Sequence, residues 1–486
     1  MRATFIRISL ILPFLLVASL WAQDRFLDRP FSLKTLTDRP LLLNLHEQST
    51  GGDLSGIFPR RDSLWRKDLP KHAFASWKGE DGFIALSLEG GYGYMGSKDL
   101  SDSIKAMDGG VFVRGYKDSV EFWVDARITN ESHTSKSPAS WDREFLENQD
   151  SANGDVRYSS FARYRGHLSV HLGWSRLDFG RDAAQWGPGY FNNLMLNQNA
   201  VPFPQMSVET KIGPVTVKSL YGDLLAESHS MSSANTRAKN MYAHRYELQA
   251  SQNLLLAINE ISIIDSINAP ILFVPIVPLF MQKGQMSEDF NNGGISMDFC
   301  YRLPGWGRAY SEFFLDDMAS PVSLIKNDNV QSKWAYMGGA QLIRNLGTIQ
   351  SGMIAEYARV EPWVYTHFEG SRAQMSHQGI GLGAPLGPNS QVIDWITYAR
   401  YKESLTTTLR TRWWWKGTDL GSDIMDPTPS LNYSTPKQFL QGAKRKFSLT
   451  PAFSYTTPIF GVDIGMQAEL TFFDNPGFYT RVGFLW

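Results

Sequence analysis

Histidine, serine, cysteine and carboxylate side chains are where chemistry would be expected, and in this sequence they are scattered. There is no G-x-S-x-G elbow, H-E-x-x-H pair, phosphate-binding G-x-x-x-x-G-K loop or C-x-x-C. His167 and His171 share one face of a strand-like run. Four residues of strand set them roughly 13 Å apart, too far to share a metal. They read as two histidines facing a polar interior. A hydrolase would need a Ser or Asp paired with a His. Asp182, His229, His244 and His367 show no spacing that forms such a pair. The chain reads as non-catalytic, with no metal and no cofactor.

A different chemistry is offered by WGPGYFNNLMLNQNAVPFP, Trp186 to Pro204. It carries no charge, is too broken by Gly and Pro for a helix, and is too apolar for an ordinary solvated loop. Arg181 and Asp182 lie just before it. A second segment, 362–390, places Trp363, Tyr365 and His367 ahead of Gly379, Gly381, Gly383 and Gly387. A third, 417–442, follows Trp413-Trp414-Trp415. Aromatic faces stack on sugar rings, and Asn, Gln, Asp and Arg supply planar hydrogen bonds. Residue type therefore leaves two uses open: a glycan-binding surface, or an interfacial aromatic girdle with loops folded inward to narrow a pore. Arg181 and Asp182 likewise either meet a ligand or pair with wall charges that hold the loop inside.

Such segments need a scaffold, and period-two alternation supplies it. Phe460, Val462, Ile464, Met466, Ala468, Leu470 and Phe472 alternate with Gly461, Asp463, Gly465, Gln467, Glu469 and Thr471. Val120, Phe122, Val124, Ala126 and Ile128 alternate with Glu121, Trp123, Asp125, Arg127 and Thr129. Strands are expected at 82–97, 108–116, 119–130, 156–166, 167–180, 204–211, 214–222, 241–250, 253–265, 294–302, 307–316, 333–344, 348–361, 391–402, 405–416, 443–456, 459–473 and 477–486. That makes about eighteen, an even number as bacterial barrels have. Several exceed the usual five or six residues of soluble strands and suit a tilted membrane crossing. Short turns (117–118, after Gly166, 213, near 251, 303–306, after 345, 403, 457–458) alternate with long loops until the last hairpin at 474–476. In an up-and-down barrel this sorting puts the long loops on one side. No segment suits a transmembrane helix: Ile271 to Met281 is short and carries Pro275 and Pro278.

The ends agree with export to an outer membrane. Arg2 and Arg7 precede the apolar run Ile8 to Leu20, with a cleavage site after Ala22, so residues 1–22 read as a signal peptide. Residues 23–81 read as a short periplasmic segment, either a plug or cap at that mouth or a loose tether. Residues 82–486 form the barrel, whose last strand GFYTRVGFLW ends on Trp486. One cysteine, Cys300, allows no internal disulfide, and 47 basic against 48 acidic residues give no footprint for nucleic acid. Aromatics at 13% suit girdles or a sugar-binding surface.

The stretch GRDAAQWGPGYFNNLMLNQNAVPFPQMSVE, Gly180 to Glu209, resembles the capsule assembly Wzi family. The matching features are Gly180-Arg181, Trp186 to Gly189, Leu194-Met195-Leu196 and Asn199-Ala200-Val201-Pro202. YTHFEG, Tyr365 to Gly370, and GIGLGAPLGPNS, Gly379 to Ser390, look like later elements of the same family. The resemblance implies an outer-membrane barrel that binds capsular polysaccharide at the cell surface and organises its attachment, with an N-terminal helical region on the periplasmic side.

The sequence thus leads to an all-β fold: a transmembrane antiparallel β-barrel of about eighteen strands, with long extracellular loops folded toward the lumen. Its expected function is lectin-like binding of capsular or other extracellular polysaccharide by a monomer in outer-membrane lipid. The residues expected at the sugar are Arg181, Asp182, Trp186, Tyr190, Asn192, Asn197 and Asn199 in the first loop, and Tyr365 and His367 in the second. The alternatives are a porin-like solute channel, which needs an open lumen, and an outer-membrane hydrolase, which needs a Ser/Asp–His pair.

Overall fold

The computed structural model describes residues 73–96, 103–133, 147–153, 156–226, 238–265, 269–276, 278–279, 281, 291–318, 322, 326, 330, 332–368, 370–402, 404–429, 436–456, 462–472 and 477–485. The expected signal peptide, most of the 23–81 segment, the 474–476 hairpin and Trp486 lie outside the described residues.

Eighteen antiparallel strands form one closed barrel. They are β1 Gly82–Gly96, β2 Ser103–Lys117, β3 Val120–His133, β4 Val156–Leu172, β5 Ser175–Asp182, β6 Phe203–Ile212, β7 Val215–Leu225, β8 Ala238–Gln249 and β9 Leu254–Asp265. The second half comprises β10 Asn291–Leu303, β11 Gly307–Met318, β12 Ser332–Leu346, β13 Ile349–Val360, β14 Ser390–Tyr401, β15 Leu405–Lys416, β16 Lys444–Thr456, β17 Asp463–Phe472 and β18 Gly477–Leu485. Each pairs with the next, and β1 pairs with β18 through Tyr92↔Val482, which closes the ring and removes both sheet edges. Two short strands lie beside the wall: Ala75–Lys78 pairs with the start of β1, and Glu147–Asn153 with the start of β4.

The alternation is inverted relative to a soluble protein. On β3 the buried residues are Glu121, Trp123, Asp125, Arg127, Thr129 and Glu131, while Val120, Val124 and Ile128 are exposed. The same holds on β18, where Val482 and Phe484 face outward. An apolar outer face with charges sealed inside is what a bilayer selects, since a lipid-facing charge is costly. Exposed Trp77, Trp174 and Trp306 lie at the short-turn end, spaced around the ring. Toward the long-loop end Trp413, Phe447 and Phe472 pack in series, with ring centroids 5.4 and 5.6 Å apart. These are the two aromatic belts of a membrane barrel.

Inside, charges answer charges. Arg245 grips Asp298 with both terminal nitrogens, at 2.6 and 3.1 Å. Its Nε donates to Glu247 at 2.7 Å, and Nη1 to Asn259 at 2.6 Å. Removing one member would leave a buried charge unanswered.

One turn differs from the expectation. The sequence suggested a break after Gly166, but β4 runs unbroken to Leu172 and the turn falls at Gly173-Trp174. Gly173 adopts φ +70°, as a tight two-residue hairpin requires, whereas Gly166 sits in regular pairing with Val124 and Arg181. A glycine inside a strand mimicked a turn.

Candidate functional site

Three of the long loops fold into the barrel mouth in layers, beginning with residues 183–202. At the exit of β5, Asp182 pairs with Arg165 of the wall at 3.3 Å and accepts the Ala183 N–H at 2.9 Å. The chain is thereby turned inward as it leaves the strand. Arg181 occupies the opposite face of β5, its guanidinium 5.0 Å from the centre of the Tyr164 ring.

The loop is closed on itself by its own amides. Trp186 N–H donates to Leu196 O at 3.2 Å. Asn193 accepts the Gly189 N–H at 2.7 Å and donates back to Gly189 O at 3.0 Å. Asn197 Nδ2 donates to Phe191 O and Asn193 O, while its Oδ1 accepts from Asn199 N and Nδ2. Gly187 adopts φ +114°, and a Cβ there would meet Asn193 Oδ1 at 2.6 Å. Side-chain amides thus do the work that sheet ladders do elsewhere.

The remaining backbone donors point at the wall, where carboxylates receive them. Glu356 of β13 accepts from the N–H groups of Tyr190, Phe191 (3.0 Å) and Asn192 (3.0 Å), from Asn192 Nδ2 (3.2 Å) and from Tyr310 OH (2.8 Å). Glu312 of β11 accepts Leu194 N–H at 2.8 Å and Met195 N–H at 3.2 Å. Asp394 of β14 accepts Asn192 Nδ2 at 3.0 Å and Arg410 Nε at 2.8 Å. The Arg410 guanidinium also lies 4.2 Å from the Phe191 ring centre. An uncharged loop offering N–H groups fits a wall offering carboxyl oxygens, so the buried donors of the loop are answered. Leu194, Met195 and Leu196 bury their side chains completely in the same core.

The second loop, 361–389, sits against the first. Tyr365 OH donates to Leu194 O at 2.6 Å and accepts Ala384 N–H at 3.2 Å, and Tyr365 N–H donates to Asp316 at 2.7 Å. Asn197 N–H donates to Leu382 O at 2.7 Å. Burial drives the Tyr365 phenol well above its ordinary pKa, so it stays protonated and able to donate. A Cβ at Gly383 would meet Leu194 O at 2.0 Å, so the two backbones touch only because this residue is glycine. Tyr365→Phe removes one donor and one acceptor from this buried contact. It is expected to lower unfolding free energy in urea by about 1–3 kcal/mol with barrel circular dichroism unchanged. An unaltered midpoint would show the contact to be idle.

The third loop, described over 417–429 and 436–443, packs on the second. Thr428 Oγ1 bonds Thr366 Oγ1 at 2.6 Å, Trp363 N–H donates to Gly421 O at 3.0 Å, and Asn389 Nδ2 donates to Ser422 at 2.7 Å. His367 lies buried here, its ring 4.2 Å from that of Phe368 and its carbonyl accepting from Thr428 N–H.

Of the nine expected residues, Asp182, Tyr190, Asn192, Asn197, Tyr365 and His367 are buried in the stopper, while Arg181, Trp186 and Asn199 keep part of their surface open. Sequence reasoning missed Glu312, Glu356 and Asp394. The only available signal was a carboxylate on the lumen face of a strand, which many strands share. Among the described residues no group of three or more His, Cys, Asp or Glu is placed to hold a metal ion.

The architecture defines a class: a membrane-spanning barrel of the outer-membrane type with three of its own loops packed together across the mouth. The family model described as capsule assembly protein Wzi matches residues 104–398, more than half the chain, and the chain belongs to that family. Among solved structures it is similar to Escherichia coli Wzi, described as an outer membrane protein involved in group 1 capsule assembly and a carbohydrate-binding β-barrel. The TM-score is 0.53 at 13% identity, over 82% of this chain and 84% of that one, a likeness of fold. It also resembles Pseudomonas aeruginosa OpdK with vanillate (TM-score 0.45, 12% identity, 84% and 98% covered). Acinetobacter baumannii OccAB2 is another match (TM-score 0.46, 11% identity, 84% and 99% covered). No curated protein sequence matches the chain.

Proposed function

We propose that this protein is a monomeric, non-catalytic surface lectin of the outer membrane, exported by a cleaved signal peptide, that binds and organises capsular or other extracellular polysaccharide. The observation that carries this is the stopper itself. Three long loops, rich in aromatics, amides and glycine, are locked together across the mouth instead of lining an open path. A porin needs that path, and the loop 183–202, which leaves the wall at β5, crosses the lumen to reach Glu312, Glu356 and Asp394 on β11, β13 and β14. Membership of the Wzi family and the description of Escherichia coli Wzi as a carbohydrate-binding barrel support the same reading.

Within the stopper, Asp182, Tyr190, Asn192, Asn197, Tyr365 and His367 shape the surface. Trp186 and Asn199, which keep open area within it, make direct contact with the sugar, whereas Arg181, on the outer face of β5 against Tyr164, supports the exit of the loop. The test is binding of detergent-solubilised protein to immobilised surface polysaccharides, with Trp186→Ala alongside wild type. Loss of one aromatic stacking face, worth about 0.5–1.5 kcal/mol, is expected to weaken binding roughly twofold to tenfold. Failure of the wild type to retain any surface glycan would overturn the proposal.

A further inference from the structure

The apolar segment APILFVPIVPLFM, Ala269 to Met281, has no charged or polar side chain and lies in the long β9–β10 connection. Its position follows from strand alternation. On β8 the odd-numbered residues face the lumen: Arg245 and Glu247 join the Asp298 network, and Lys239 donates to Gln374 O of the second loop at 2.8 Å. Tyr242, His244, Tyr246 and Leu248 therefore face outward. The cross-strand partners of His244 are Ser219 on β7 and Glu260 on β9, so the three form a polar row on the outer wall. Below them the same face is apolar and exposed, with Leu248, Leu256, Ile258, Met297 and Phe299.

His244 stands five positions above Gln249, the short-turn end of β8. At ordinary strand rise and tilt that is about 13 Å along the membrane normal, half way up an apolar band roughly 25 Å tall. A bare carboxylate and imidazole at that depth would be costly.

The segment covers this row. Leu272 O lies 2.9 Å from His244 Nε2, Phe273 O accepts from Ser219 Oγ, and Pro275 O accepts from Tyr246 OH at 3.4 Å. Leu279 N–H donates to Glu260 at 2.5 Å, and Ala269 N–H to Tyr242 OH at 3.0 Å. Leu272 and Leu279 bury against Tyr242 and Ile264. Pro270, Pro275 and Pro278 have no N–H to satisfy, while those of Leu272, Val274, Ile276 and Met281 bond locally. On the far side Ile276 is 82% exposed, Ile271 68% and Met281 58%.

We propose that residues 269–281 form a strap on the outer wall of the barrel, immersed in lipid, whose ridge of Ile271, Val274, Ile276 and Met281 contacts the acyl chains of the bilayer. Irregular backbone survives at membrane depth only when its polar groups are answered, and here the polar row of the wall answers them. Each half explains the other: the row is tolerated because the strap covers it, and the strap can lie in lipid because the row takes its carbonyls. Ser219 and His244 bond the strap rather than each other, so the row is read as an anchor and not as a hydrolase pair. The inference depends on the barrel lying in a bilayer, not on what the loops bind.

Two measurements test it. Nitroxide labels at Ile276→Cys and Met281→Cys, in a Cys300→Ser background, are compared in liposomes with a label at Leu420→Cys in the third loop. Heat-modifiable electrophoretic mobility confirms folding. The ratio of oxygen to nickel-chelate accessibility is expected to be several-fold higher at both strap positions than at 420. Equal ratios would place the strap in water, and exclusion of both reagents would place protein over it. Either result overturns the proposal. For the unaltered protein, a diazirine on a lipid acyl chain is expected to label residues 269–281 as it labels Met297 and Phe299. Labelling of those wall residues without the strap would refute it.

Discussion

Replacing Glu312 and Glu356 together by alanine is expected to convert a closed barrel into an ion-conducting one. Glu356 receives five donors and Glu312 two, and six of the seven come from the loop 183–202. Two effects oppose each other. Removing the carboxyl groups relieves the burial of two strongly polar side chains, which favours the variant. It also leaves a row of backbone N–H groups without acceptors inside the wall, each at about 1–3 kcal/mol. Half of the smallest such sum, five groups at about 1 kcal/mol each, is still about 2.5 kcal/mol, a shift of roughly seventyfold toward a state in which water reaches the loop. The apolar anchors Leu194 to Leu196 keep the loop near the mouth, so fluctuation is expected rather than ejection. In planar bilayers the wild type should show no large steady conductance, while the double alanine variant shows long openings. Glu312→Gln with Glu356→Gln keeps one acceptor oxygen per side chain and should fall between them. A double alanine variant as silent as wild type would show that the amide–carboxylate row does not hold the stopper. A steady, large wild-type conductance would remove the stopper altogether and with it the case against a porin.

The barrel was legible because a bilayer imposes its rule on every strand. Outward residues must be apolar, so β3 and β17 announce themselves at period two. The sorting of long and short connections then gives the strand number and which end carries the loops. The stopper was half legible. Trp186 to Pro204 is conspicuous for having no charge, which already argues against free solvent exposure. Its wall partners were hidden, because Tyr190 and Glu356 are 166 positions apart, and Leu194 and Glu312 are 118. No local pattern distinguishes those carboxylates from Glu121 or Asp125, which face the same lumen. Period and composition report environment, whereas pairing across a lumen depends on register around the ring. Ile271 to Met281 shows the same limit. Its composition declares a lipid-like environment, but length and prolines exclude a spanning helix, and only the outward row of Ser219, His244 and Glu260 shows where it lies.

Acid is expected to loosen the outer loops through His377, which sequence reading passed over. His377 lies in the short hairpin Ser376–His377 and Ile380–Gly381 of the second loop. Its Nδ1 accepts Leu225 N–H at 3.0 Å, so the ring is neutral with its proton on Nε2. Burial, and then the charges of Arg181 and Lys239, push its pKa down from 6.5 to about 3. In an opened loop the ring regains its ordinary value. Above that value both states are neutral and nothing is lost. As pH falls below 6.5, the opened state takes up a proton that the closed state refuses. The closed state then loses about 1.36 kcal/mol per pH unit until its own titration near 3. Between pH 7 and pH 4.5 this comes to roughly 2.7 kcal/mol, or about a hundredfold in the opening equilibrium. Amide exchange at residues 376–382, corrected for the intrinsic effect of pH, should report that loss of protection while the strands stay protected. His377→Gln retains an acceptor for Leu225 N–H without a titrating group and should flatten the pH dependence. Equal corrected protection at both pH values in the wild type would show that the loops do not open by exposing this histidine. Acid lability that persists in His377→Gln would move the cause to the carboxylates of the wall.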